Sequence, residues 1–337
     1  MPKPPTLRAL AQRLSLSIAT VSQALRDSPR TSAATRARVQ RAAAKAGYRV
    51  NPLLGAALSA VRRARHQQFQ GMLALIDIPE EPRFMLFRKE IAAGAELRAS
   101  QLGFHTEIFR LDAGVSFARL VSVLHARGIT GALFMPFNIA QDFSSFDFRR
   151  LAVVQMDHSV LAPRLHTILP DHYISMIHAL ERLTERGYHR IGLCMEQQRD
   201  ARLMSKWSAA FHAFFRDYAR DSGIPALIEP RVSRESFLPW YRHYRPDVII
   251  GHVQAMVSWM EETGVHVPGN VGFFNLNITE RTGPCAGLDL QPRRLGAAGI
   301  ETVIGMLHRE EHGVPAEPQT ITIEAKWVDG PTLRPPP

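Results

Sequence analysis

The sequence predicts a small all-α N-terminal unit followed by a two-lobed α/β body with parallel sheets and helices on both faces. Three observations predict it. Short helical patterns joined by a tight turn open the chain, apolar runs of strand length alternate with helical patterns in two later sets, and the net positive charge is confined to the N-terminal fifth. Residues 1–66 hold thirteen Lys/Arg and one acid, Asp27, for a net +12, while the remainder holds 28 basic and 30 acidic residues, for −2. The whole +10 of the chain is therefore a local property, the electrostatic footprint of a phosphate-binding module.

The first helix spans Thr6 to Leu14, with Leu7, Leu10, Ala11 and Leu14 at helical spacing. After a break at Ser15-Leu16 the second begins at Ser17, with Val21, Ala24 and Leu25 as its apolar stripe. Thr6 and Ser17 stand where N-caps belong. Ile18, Ala19, Thr20, Ser22 and Gln23 lie near the N-terminal end of the second helix, outside the apolar stripe. A helix-turn-helix uses that end to reach base edges in the major groove. A third helix opens at Ser32 and closes at Gly47 before Tyr48. Asn51 caps a short helix with Pro52 in its first turn, and His66 to Gln70 reads as a linker.

In the body, Met72–Ile78, His105–Leu111, Ala132–Phe137 and Ala152–Met156 form a first set of strands, with helices over Phe87–Leu102 and Phe117–Arg127. The second set is Ile191–Met195, Ala226–Val232, Val248–Gly251 and Val271–Leu276, with helices over Met204–Arg220, Gln254–Thr263 and Arg293–His308. A late strand lies between Gln319 and Arg334, before a Pro-rich end. Such alternation implies βαβ units, and two lobes place a ligand cleft beyond the carboxyl ends of their strands. The domain boundaries are 1–50 for the headpiece, 51–70 for the connecting helix and linker, and 71–337 for the body. Within the body, one lobe takes 71–160 plus 291–320 and the other 161–290.

Other classes find less support. There is no Gly-x-Gly-x-x-Gly after a strand, no P-loop, no Gly-x-Ser-x-Gly and no paired-His metal motif, so no enzyme, cofactor or metal is expected. Cys194 and Cys285 lack metal spacing and read as packing residues. Without an apolar leader or a membrane-length run, the expected location is the cytoplasm.

Ser17 to Ser22, Thr35-Arg36, Gly47-Tyr48 and Asn51-Pro52, in that order, resemble the lac-repressor-like (LacI/GalR) family of bacterial transcriptional regulators. Gly187-Tyr188-His189-Arg190-Ile191-Gly192, Val267-Pro268, and Gln291-Pro292 followed by Gly296 extend the resemblance through the body. It implies a helix-turn-helix headpiece, a hinge helix and a two-lobed periplasmic-binding-protein-like effector domain. It further implies a homodimer on a pseudo-palindromic operator, with a small molecule, carbohydrate-related in much of the family, altering DNA affinity.

By position, the resemblance makes Ile18, Ala19, Gln23 and Arg30 base-reading residues, with Gln23 suited to an adenine edge. Thr6, Ser17, Thr20, Ser22, Ser32 and Tyr48 become phosphate contacts. Asn51, Leu54 and Leu58 become the hinge and its minor-groove wedge, in a stretch that lacks the family's Ala-Arg-x-Leu. Ser15 stands where the family usually places glycine, a position that favours φ > 0. In the cleft, Phe84 and Phe87 follow the first strand and Asp157 closes the fourth. Trp207, Gly251-His252 and Asn277 fall where the family commonly carries an arginine, an Asn-Asp pair and an aspartate, with Lys206 one residue away. Trp207 is read either as a ring for stacking on a ligand or as a core residue, and His252 as a ligand or a strand-end histidine. Two alternatives remain open: a DNA-binding regulator without ligand sensing, and a small-molecule-binding protein with a non-specific basic headpiece. A broad metabolite screen and the salt dependence of DNA binding discriminate them.

Overall fold

The computed structural model describes residues 7–25, 31–46, 70–78, 85–112, 115–217 and 224–335. The chain divides into two compact units, Met1–Gln68 and Phe69–Pro337.

In the first unit, α1 (Leu7–Leu14), α2 (Ile18–Leu25) and α3 (Ala33–Lys45) enclose a core of Leu10, Ala11, Leu14, Val21, Ala24, Val39 and Ala43. Leu10, Ala11, Leu14, Val21 and Ala24 are residues that the helical spacing put in apolar stripes, and α3 adds Val39 and Ala43. The Ser17 hydroxyl accepts from the Thr20 N–H at 3.0 Å, and the Ser32 hydroxyl accepts from the Thr35 N–H at 3.2 Å. Each satisfies a first-turn donor that the helix cannot. Ser15 does take a left-handed conformation, φ 50°, at the turn between α1 and α2. The backbone around it is secured by Leu16 N–H to Ala11 O at 3.0 Å and by the Arg38 guanidinium to Leu14 O at 3.0 Å.

The second unit contains two six-stranded sheets. In the first, β1 (Gly71–Asp77), β2 (Phe104–Arg110), β3 (Gly131–Phe134), β5 (Ala152–Met156), β7 (His166–Pro170) and β13 (Thr320–Ile323) run in the order β13-β7-β5-β3-β1-β2, all parallel. The helices of this lobe are α4 (Met85–Gln101) and α5 (Phe117–Ala126), and β4 (Gln141–Asp142) and β6 (Val160–Ala162) pair as a separate two-stranded ribbon. In the second lobe, α6 (His172–Glu185) leads into β8 (Ile191–Glu196), α7 (Gln197–Arg202), α8 (Lys206–Asp217), β9 (Leu227–Glu229) and α9 (Arg234–Tyr244). β10 (Val248–Gly251), α10 (Ala255–Glu261), β11 (Gly272–Asn275) and β12 (Ala286–Asp289) follow. α11 (Pro292–Arg309) returns to the first lobe, and β14 (Lys326–Val328) closes the second sheet antiparallel to β12, in the order β14-β12-β11-β10-β8-β9. Burial on both faces explains the continuous apolar runs of β1, β3, β5, β8 and β10.

The chain crosses between lobes at Asp171, Gln291 and Glu324-Ala325. The first crossing is at Asp171 rather than 161, because β7 is hydrogen-bonded into the first sheet. The crossing segments are tied together. Asp171 N–H donates to Ile323 O at 2.9 Å, Gln291 Nε2 to Glu324 O at 2.6 Å, and Ala325 N–H to the Ser175 hydroxyl at 2.9 Å.

Candidate functional site

In the headpiece, Gln23 is half-buried on α2, and the Ser17 and Ser32 hydroxyls are occupied as helix caps. Thr20 Oγ1 lies 2.8 Å from Ser17 Oγ. Ile18, Ala19 and Ser22 belong to α2. Thr6, Arg30, Tyr48, Asn51, Leu54, Leu58 and Phe84 lie outside the described residues.

In the body, the carboxyl end of β5 meets the α7–α8 segment of the other lobe. Asp157, the residue after β5, has φ 56° and is buried. Its Oδ2 accepts from Arg202 Nη1 at 2.5 Å, an ion pair across the lobes. Burial pushes the Asp157 carboxyl up, but the Arg202 guanidinium and the His172 ring outweigh it and leave the carboxyl below its ordinary value. Next to it, Lys206 Nζ lies 3.2 Å from His158 Nε2, a second bridge between lobes.

The turn that delivers Arg202 and Lys206 is tightly built. Met204 and Ser205 both adopt left-handed φ, 57° and 54°. Such residues cost about 1–2 kcal/mol each and persist only where the surroundings hold them. Asp200 is the holder. It is buried and accepts from the Ser208 N–H and hydroxyl, and its own carbonyl accepts from the Ser205 N–H at 2.8 Å.

Behind this turn sits Trp207, fully buried at 0% exposure. Its ring meets His172 edge-on at 4.8 Å and His252 edge-on at 6.3 Å. Of the two readings of Trp207, stacking on a ligand is corrected here, because the ring has no exposed face and belongs to the core of the second lobe. What it retains is an indole N–H without a partner. Burial pulls His172 down to about 4 and His252 well below its ordinary value, so both rings are neutral near pH 7. His252 follows β10 and is half-buried. Gly251 before it is required by close approach of β8, since a Cβ there would stand 2.2 Å from the Cys194 carbonyl oxygen.

Phe87 and Asn277 come together in a neighbouring patch. Phe87 packs against the cores of both lobes, and its N–H donates to Glu280 Oε1 at 2.7 Å. A carboxylate of one lobe thus caps the first turn of α4 in the other. Burial pushes the Glu280 carboxyl up, partly offset by that hydrogen bond. Asn277 Oδ1 accepts from the Thr279 N–H at 3.1 Å, which opens the 3-10 turn Ile278–Glu280. Arg199 acts electrostatically on both His252 and Glu280 and so joins the two patches.

The structure therefore gathers Asp157, Trp207 and His252 in one cluster, and Phe87 and Asn277 in the next. It adds His158, His172, Arg199, Arg202 and Glu280, which no local pattern marks. Three buried polar atoms of the first cluster have no hydrogen-bond partner: Asp157 Oδ1, His172 Nδ1 and Trp207 Nε1. A buried acceptor and donor left unpaired cost about 1–3 kcal/mol each, which a bound polar group would recover. Among the described residues no cluster of His, Cys, Asp and Glu could hold a metal ion, and no helix is long and apolar enough to cross a membrane.

Comparison with known proteins agrees with this architecture. Residues 6–51 match the model of bacterial regulatory proteins of the lacI family, and residues 180–333 match a periplasmic binding protein-like domain. The HTH-type transcriptional repressor CytR of Escherichia coli (strain K12) is 25% identical over 316 residues, covering 86% of this chain and 85% of CytR. The fold is similar to that of the lac repressor dimer bound to operator and the anti-inducer ONPF (TM-score 0.54, 18% identity, 98% of this chain and 99% of that one). It is also similar to a transcriptional regulator CelR–cellobiose complex (TM-score 0.56, 16% identity, 97% and 99%). These relatives are transcriptional regulators, not enzymes. The chain thus carries a DNA-binding domain of the lacI family of bacterial regulatory proteins and a periplasmic-binding-protein-like domain, the make-up of a DNA-binding transcriptional regulator.

Proposed function

We propose that this protein is a repressor that binds a pseudo-palindromic operator as a homodimer and responds to a small molecule held between the lobes. The observation that carries the ligand reading is the trio of buried, unpartnered polar atoms on Asp157, His172 and Trp207, at a junction bridged by Arg202 and Lys206. His252, Asn277, Phe87 and Phe84 belong to the same proposed site. A carbohydrate-related effector is the first class to test, given the cellobiose in CelR.

For DNA, Ile18, Ala19, Gln23 and Arg30 are the proposed base readers. Thr6, Ser17, Thr20, Ser22, Ser32 and Tyr48 are the proposed phosphate contacts, and Asn51, Leu54 and Leu58 form the hinge. Selection of genomic fragments with the full chain tests this: a two-fold-related consensus is expected, and enrichment without a consensus would mean binding through charge alone. Gln23→Ala should relax the preference at one position per half-site by about 1–3 kcal/mol. Equal weakening on every sequence would remove Gln23 from the base readers.

Pairing of two chains is supported by apolar side chains left in solvent on the first lobe. Met85 (61% exposed), Leu86 and Ile108 surround a surface pocket of about 560 Å3 beside β2, an edge strand. Ile108→Glu is expected to shift sedimentation from dimer to monomer and to weaken operator binding together. An unchanged dimer would move the interface elsewhere.

A further inference from the structure

We infer that the inter-lobe site takes a hydroxycarboxylate, a small monoanion carrying hydroxyl groups, rather than a neutral sugar. This rests on the ligand-site reading above and concerns only the chemistry of the occupant.

Most charges of the α7–α8 turn are already paired within the protein. Arg199 is paired with Glu196 at 3.0 Å, and Arg202 with Asp157 at 2.5 Å. Asp200 spends its oxygens on the Ser208 N–H and hydroxyl, within the turn itself. Lys206 differs. Its ammonium has, among the described residues, a single polar partner, the His158 ring. That ring is held neutral, because burial together with the Lys206 and Arg202 charges outweighs the pull of Asp157. A half-buried ammonium that faces an uncharged imidazole has, among the described residues, no carboxylate paired with it. A carboxylate is the counter-ion that fits one such charge, whereas a phosphate monoester would bring about one charge more than Lys206 can balance.

The adjoining donors point the same way. Lys206 and Trp207 are the first two residues of α8, a helix of 12 residues, so its amide dipoles favour negative charge there. The Trp207 Nε1–H is completely buried and unpartnered, a donor that awaits an acceptor. In the other lobe, Asp157 Oδ1 is a buried acceptor that awaits a donor. A ligand that satisfies both ends must accept at one end and donate at the other. A carboxylate toward Lys206 and Trp207, with a hydroxyl toward Asp157, does so. His172 Nδ1, in an uncharged ring, pairs with either through its tautomer. A neutral polyol supplies the hydroxyl but leaves the ammonium uncompensated.

The test uses the full chain and a panel of aldonates, each paired with the alditol of the same stereochemistry, with matched sugar phosphates alongside. Calorimetric titration at constant ionic strength reads the affinity of each. At least one aldonate is expected to bind tenfold or more tighter than its alditol. That preference should vanish in Lys206→Met and persist in Lys206→Arg. The unfolding midpoint of each variant checks that it is folded, and the wild-type comparison stands without either. An alditol that binds as well as its aldonate, tightest binding by a sugar phosphate, or no binding by any aldonate overturns the inference. A neutral ligand whose binding is lost in Asp157→Asn would leave the site reading standing. Any ligand whose binding is indifferent to both Asp157→Asn and Lys206→Met would remove the ligand from this junction altogether.

Discussion

Replacing Arg202 by alanine is expected to cost the second unit about 3–5 kcal/mol of unfolding free energy, read as a lower urea midpoint at unchanged slope. The magnitude follows from what is left behind. Asp157 is 6% exposed, and Arg202 is the partner of one of its oxygens while the other has none. Without the guanidinium, a buried carboxylate would face only neutral histidines and the more distant Lys206. The reverse change, Asp157→Asn, should cost less. The Arg202 side chain is 22% exposed and reaches water. The pair also predicts a pH dependence. Because the Asp157 carboxyl lies below its ordinary value in the folded state, its contribution is complete above about pH 4. It is lost as pH falls from there through the folded value. Arg202→Ala should remove that component of the acid limb. A loss under about 1 kcal/mol would class the pair with exposed surface bridges, and the inter-lobe junction would then be hydrated in solution.

The same cluster shows where the sequence was informative and where it was not. The parallel two-lobed architecture was legible because β1, β3, β5, β8 and β10 are nearly continuous apolar runs between amphipathic helices. The headpiece was legible because a few small residues at helical spacing suffice to fill its core. Elements that escaped had competing or weak signals. Pro239 inside α9 reads as a breaker, yet Ser233 and Ser236 cap that helix reciprocally and Trp240 anchors it through Nε1–H to Pro225 O at 2.9 Å. β12 and β14, of four and three residues, are too short to carry a period. β7, ending in Pro170 and containing His166 and Thr167, lacks an uninterrupted apolar run, so the sequence pattern puts the lobe crossing before a strand that belongs to the first sheet.

At the site, Asp157, Trp207 and His252 could be named from their positions after strands and on α8. Their partners could not. Arg202 matters because β5 and α7 belong to different lobes that its ion pair with Asp157 joins, and no spacing along the chain records that contact. Glu280 is unreadable for the same reason, since the Phe87 amide it caps lies 193 residues earlier in sequence. Left-handed turns are the intermediate case. The family pattern flagged Ser15, whereas Met204 and Ser205 carry side chains that give no hint of positive φ.

Gly296→Ala should destabilise the second unit by about 3 kcal/mol or more, opposite in sign to what helix propensity predicts. Alanine in a helix interior is ordinarily favoured over glycine by about 1 kcal/mol. At this position in α11, however, a methyl group would stand 2.0 Å from the Ile91 carbonyl oxygen and 2.9 Å from the Ala95 amide nitrogen of α4. The contact is reciprocal: a methyl on Gly94 of α4 would stand 2.0 Å from the Arg293 carbonyl oxygen of α11. Two glycines therefore let the backbones of α4 and α11 touch, and neither clash can be relieved by rotating a side chain. The helices must separate, which opens voids beneath both along the β3 and β5 face of the first sheet. Gly305 on the same helix is the control, because its methyl would meet only the mobile end of Arg309, at 3.1 Å. Gly305→Ala should be neutral or stabilising by up to about 1 kcal/mol. Thermal unfolding of the two variants side by side separates the effects. If Gly296→Ala matched Gly305→Ala, the close approach of α4 and α11 would be refuted. The relation between them matters beyond stability, because α4 also carries Met85 and Leu86 on the proposed pairing face and receives the Glu280 cap from the other lobe. A shift of α4 would therefore reach the dimer contact and the inter-lobe junction at once, and Gly296→Ala should weaken pairing as well as folding.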